Sequence, residues 1–113
     1  MSTMQKNPPK TSRSDDIPDR TWVATIADLG APGLGLRMPL IVTLEDFGDE
    51  IVASYHEVEA FASGPTEADA INSLKDAIAG LYTELAAAPD RELGKLPKRW
   101  KRALLSVAHP TGF

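Results

Sequence analysis

The chain of 113 residues contains no cysteine, which excludes disulfides, thiolate metal centres and a cysteine nucleophile. Imidazole is nearly as scarce. His56 and His109 are the only histidines, too few for most zinc or metal-hydrolase sites. Neither a metal nor a cofactor is expected. No apolar run approaches the roughly 20 residues that a spanning helix requires, and the opening MSTMQKNPPK lacks the apolar segment of a secretory signal. A cytoplasmic protein with no membrane contact is the expectation. What the chain does hold is ordinary for one globular domain: 42% apolar and 25% charged residues, too apolar for wholesale disorder.

Charge is distributed unevenly. Residues 1–20 carry three prolines (Pro8, Pro9, Pro18) and a net charge of +1, residues 21–90 carry −10, and residues 91–113 carry +5. The first stretch has no apolar period and cannot bury enough surface to offset the entropy of ordering it, so a disordered arm over 1–20 is expected. An acidic body over 21–90 and a basic tail over 91–113 follow, the tail being suited to dock on the body or on a partner.

Strand patterns begin at Trp22-Val23-Ala24-Thr25-Ile26-Ala27. Ala31-Pro32-Gly33-Leu34-Gly35 is turn chemistry, expected to form a bend. Leu40–Glu45 and Ile51–His56 flank Gly48-Asp49, a pair suited to a type II′ hairpin turn. If Phe47 pairs with Glu50, then Glu45 faces Val52, Thr43 faces Ser54 and Ile41 faces His56. That register segregates Leu40, Val42, Leu44, Ile51, Ala53 and Tyr55 on an apolar face. Ile41, Thr43, Glu45, Val52, Ser54 and His56 share a mixed one. A slip of one residue would exchange the two faces, so burial of the first set fixes the pairing. A third strand over Val58 to Ser63 is expected next.

Thr66 then opens the clearest element. Its hydroxyl can cap a helix whose first turn holds Glu67 and Asp69, where the dipole favours negative charge. Ile71, Leu74, Ile78, Leu81, Tyr82 and Leu85 recur at helical spacing, a stripe about 100° wide, and Pro89 ends a helix spanning Glu67 to Ala88. Gly80 falls opposite the stripe. A second helix starts near Pro97, with Leu96, Trp100, Leu104 and Val107 as its apolar seam and Pro110 and Gly112 beyond its end. The seam can pack on the main helix, on the mixed sheet face or on another chain. The sum is an α+β fold: an antiparallel sheet of three or four strands, one long helix on its apolar face, and a short basic C-terminal helix.

Little here suits catalysis. His56 adjoins Glu57, but neighbours on a strand point to opposite faces, and His109 falls in a tail expected to fray. The acids Glu45, Asp46, Asp49 and Glu50 crowd the hairpin tip without calcium-loop spacing. No catalytic and no metal-binding residue is assigned, and the chain reads as a non-enzyme. The basic residues Lys98, Arg99, Lys101 and Arg102 could neutralise nucleic-acid phosphates. They are expected to wrap around their helix without lining one face, and Trp100 lies in the apolar seam. Nucleic-acid contact is therefore the lesser reading.

Gly64-Pro65-Thr66-Glu67-Ala68-Asp69-Ala70-Ile71 resembles the Gly-x-Thr-x-x-Glu-Ala segment of HicB-like antitoxin domains. Gly64, Thr66 and Ala70 match, and Asp69 stands where glutamate is usual. Ile51–Val58 looks like that family's second strand, without the proline that often ends it. The resemblance covers roughly Leu36 to Leu85. It implies a dimeric module of a toxin–antitoxin system that acts by covering the active site of a small basic ribonuclease toxin. The single helix after Pro89 is too little for the helix-turn-helix or ribbon-helix-helix module of longer members. The chain is thus similar to short, stand-alone ones. On this reading Ile41, Val52, His56 and Phe61 form the partner-binding set.

Overall fold

The computed structural model describes residues 17–111, so residues 1–16 of the expected arm lie outside the described residues. In chain order the elements are β1 (Arg20–Ile26), β2 (Leu34–Leu36), β3 (Leu40–Asp46), β4 (Ile51–Tyr55), a 3-10 turn at His56–Val58, β5 (Ala60–Gly64), α1 (Glu67–Ala87), a second 3-10 turn at Asp90–Glu92, α2 (Lys95–Val107) and β6 (Ala108–Pro110). Four strands form an antiparallel sheet in the order β1-β3-β4-β5, and β2 pairs with β6 in a separate two-stranded ribbon.

The hairpin sets the frame. Thr43 lies opposite Ser54 and Glu45 opposite Val52, and the Phe47 amide donates to the Glu50 carbonyl at 2.9 Å. Gly48 sits at φ 95°, where a side chain would be strained, and its amide donates to Asp46 Oδ1 at 2.9 Å. The register is the one that buries the apolar set: Val42, Leu44 and Ala53 are fully buried, and Leu40 and Tyr55 nearly so.

Two details at the strand ends differ from expectation. Tyr55 is the last residue of β4, so the expected pairing of Ile41 with His56 does not form. His56 opens a 3-10 turn that ends at Glu59 in the left-handed region, φ 55°. The turn carries Val58 into the core, 1% exposed, where a continuing strand would not take it, and β5 starts at Ala60 instead of Val58. At the other edge β1 reaches back to Arg20, inside the expected arm. Arg20 pairs with Asp46 in the ladder, and its guanidinium lies 3.0 Å from the Asp46 carboxylate.

α1 is capped as its sequence dictates. The Asp69 amide donates to Thr66 Oγ1 at 3.1 Å, and the Thr66 hydroxyl donates back to Asp69 Oδ2 at 2.9 Å. Gly64 is required by proximity: a Cβ there would lie 2.6 Å from Asp69 Cβ and 2.9 Å from the Ala70 amide nitrogen. Ala70, Leu74, Ile78 and Leu85 are buried against the sheet side, with Ile71, Leu81 and Tyr82 half-buried beside them, while Gly80 faces open space. Twenty-one helical residues span about 31 Å at 1.5 Å each, longer than the roughly 23 Å of the seven-residue strands. The excess is covered by α2.

Three of the four seam residues of α2, Trp100, Leu104 and Val107, join the core as α2 packs on α1 and the His56–Val58 turn, with Leu104 1% exposed; Leu96, in the first turn, stays exposed instead. Gly94 is the residue before the first helical turn, and Pro97 lies inside that turn, where its missing N–H costs nothing. The chain then departs from two expectations. Leu34–Leu36 is a strand and no mere bend, and His109 is not frayed: Leu36 pairs with Ala108 and Gly35 with His109. Pro110 biases His109 toward extended backbone, Ala108 supplies an apolar residue that is 2% exposed, and the proline sits last in the ladder, where a missing donor is tolerated. The Arg37 amide to the Val107 carbonyl (2.7 Å) and the Thr111 amide to the Gly33 carbonyl (2.9 Å) bracket the ribbon.

Candidate partner-binding faces

Because α1 covers one side of the sheet, side chains that alternate outward form a second surface. The ladder registers place Val23, Thr43, Ser54 and Phe61 in one row across all four strands. Thr21, Glu45, Val52 and Ser63 form the next row, and Thr25 with Ile41 a third. Of these ten residues only Glu45 is charged. Val23 and Ile41 are each 66% exposed and Phe61 is 73% exposed, while Val52 is half-buried.

Of the expected partner set, the sheet thus brings Ile41, Val52 and Phe61 to one face. His56 leaves that face with the 3-10 turn and points to solvent from the sheet's end. Val23 was missed, although the alternation Thr21-Val23-Thr25 carried the signal: β-branched residues two apart mark one side of a strand. Ile41 and Val23 are diagonal neighbours on paired strands. Phe61 and Val23 stand on opposite edge strands, about 14 Å apart at three strand spacings. Large apolar groups therefore flank a floor of small hydroxyls, a surface with one charge to desolvate and with hydroxyls that a partner must hydrogen-bond when it covers them.

The acidic end lies beside this face. The Gly48 amide, then the Arg20 guanidinium, hold the Asp46 carboxyl below its usual range. Arg20 also lies 4.6 Å above the Trp22 ring, and the Trp22 indole N–H donates to Glu67 Oε2 at 3.4 Å, which ties β1 to the start of α1.

The cations of α2 are not arranged as expected. Lys101 turns inward, its Nζ donating to the Ala88 carbonyl at 2.7 Å and to Asp90 Oδ1 at 2.9 Å, with the side chain 16% exposed. That hydrogen bond, with the lysine's charge, lowers the Asp90 carboxyl. Lys98, Arg99 and Arg102 do not wrap around the helix. With Lys95 they stand at successive spacings of three, one and three residues, an i, i+3, i+4, i+7 stripe on one face. Lys95, Arg99 and Arg102 are exposed and Lys98 half-buried. The sequence reading missed the stripe because it counted Lys101 within the set and left Lys95 out.

Among the described residues no cluster of three or more histidine and acidic side chains is placed to hold a metal ion, and no helix is long and apolar enough to cross a membrane. No family model matches the chain, and neither a curated protein nor a solved structure matches it.

Proposed function

We propose that the protein is a non-enzymatic binding module whose open sheet face occludes a partner protein, in the manner of the HicB-like antitoxins that its Gly64–Ile71 segment resembles. The observation that carries this reading is the exposed trio Val23, Ile41 and Phe61 on a face with a single charge. A water-facing sheet of a protein with no partner is expected to alternate toward charged and polar residues. The two edge strands, β1 and β5, border that face and offer backbone hydrogen bonds to an added strand, while side chains of the face select the partner. The sharper form of the proposal is a dimer that covers a small basic ribonuclease; the body's acidity suits a basic partner.

Co-expression with the product of the adjacent reading frame, followed by size-exclusion chromatography with light scattering, tests it. The expected result is a stoichiometric complex that the Val23→Lys, Phe61→Asp double variant no longer forms while its melting temperature stays near that of the parent. A monomer that forms no complex, or a complex indifferent to the double variant, would sink the proposal.

A further inference from the structure

A second surface, remote in kind from the sheet face, combines charge with a cavity. An open cleft of about 430 Å³ lies between the start of β3 and the last turns of α2, lined by Leu40, Tyr55, Glu57, Ala103 and Val107 among others, with Ile41 of the sheet face reaching its edge. Its size falls within the roughly 300–1,000 Å³ of ligand-holding pockets. Ser106 also lines it. Ala103 lies four residues after Arg99, and Ser106 four after Arg102, so the cleft continues the cationic stripe along one face of the helix.

We propose that this face of α2 and the cleft together form a docking site for an acidic segment of a partner protein carrying one apolar anchor side chain. Three features select that occupant. No acidic residue occurs from Leu93 to Thr111, so Lys95, Lys98, Arg99 and Arg102 have no acidic partner within their own element; Asp90, outside it, is bridged by Lys101 and also feels Lys98 and Arg102, one carboxylate among several cations. Lys95 to Ser106 covers about 16 Å of helix, which five extended residues match. Acidic side chains over the stripe and an anchor in the cleft therefore fit one short segment.

The third feature is Tyr55. It is 5% exposed and lines the cleft, yet its hydroxyl makes no hydrogen bond to any described residue. Burial, and secondarily the Glu57 charge, raise its pKa, so it stays protonated and donates to a backbone carbonyl of the incoming chain. A phosphate polymer fits less well. The cleft walls are largely aliphatic, and a phosphate backbone has no apolar side chain to bury against them.

The test is fluorescence anisotropy on the full chain near physiological salt. The probes are labelled eight-residue peptides of glutamate and glycine with one terminal leucine, at either end, beside leucine-to-glycine controls and a labelled DNA duplex. The leucine peptide is expected to bind at least about tenfold tighter than its control, the worth of burying one such side chain. The variant Arg99→Glu, Arg102→Glu abolishes binding. Ser106→Trp, which fills the cleft from an exposed position, removes the advantage of leucine. Tyr55→Phe weakens the leucine peptide by roughly three- to tenfold, as loss of one hydrogen bond should. Phe61→Asp on the sheet face, which does not line the cleft, changes nothing, and this separates the site from the one proposed above. Equal binding of both peptides, tighter binding of the duplex, or no binding by any probe would overturn the proposal.

Discussion

The two faces of the four-stranded sheet are built from the same strands and the same alternation, yet they have opposite duties. On the α1 side, Val42, Leu44 and Ala53 meet Leu74 and Ile78, all at 0–1% exposure. On the other, their immediate neighbours are left open: Ile41 is exposed, and Thr43 and Ser54, opposite each other, are half-buried. One face therefore holds stability and the other is free to hold specificity. Substitutions should divide along that line.

The largest effect belongs to the covered face. Leu74→Ala leaves a cavity between α1 and the sheet and is expected to cost about 3–4 kcal/mol in urea denaturation. Next comes the junction that lets α1 lie down. Gly64→Ala forces a methyl group against Asp69 and the Ala70 amide and should cost about 1–3 kcal/mol by overpacking. Thr66→Ala, which removes the cap on the Asp69 amide, should cost about 1 kcal/mol. If all three had similar small effects, the helix would not be the lid that the contrast requires.

The open face should respond weakly in the same assay. Phe61→Ser is expected to stay within about 0.5 kcal/mol of the parent while reducing partner binding. A large loss of stability would show that Phe61 belongs to the core after all. The smallest effect is electrostatic and sits at the hairpin tip. The Asp46 carboxyl is held below its usual range in the folded chain. Its contribution is thus complete above the unfolded pKa and is lost as pH falls through the folded one. Asp46→Asn should therefore flatten the fall in denaturation midpoint between about pH 5 and pH 2.

The covered face was legible in the sequence because it obeys two independent periods at once. The strands alternate at two and the helix at 3.6, and only one register and one helix face satisfy both. Val23 escaped because a strand at a sheet's edge shows alternation without burial, and periodicity alone does not rank exposed positions. His56 was misplaced by one residue of strand. Nothing local announces that Glu59 adopts a left-handed backbone or that Val58 is drawn inward by α2. The β2–β6 ribbon was invisible for a different reason. Each of its strands is three residues long, too short for any period, and each is strand only because the other is present. The cationic stripe was readable in principle. It was obscured by Lys101, whose commitment to Asp90 and the Ala88 carbonyl is a tertiary fact.

That ribbon has a consequence for the order in which the fold closes. Gly35 stands opposite His109, between the Arg37 amide bond to the Val107 carbonyl and the Thr111 amide bond to the Gly33 carbonyl, so two short segments far apart in the sequence must meet before either is strand. Loop closure over such a span is slow and gains little from three residues of ladder. The ribbon should therefore zip last, once the sheet, α1 and α2 have carried its two halves together, and it should be the first part to open in hydrogen exchange.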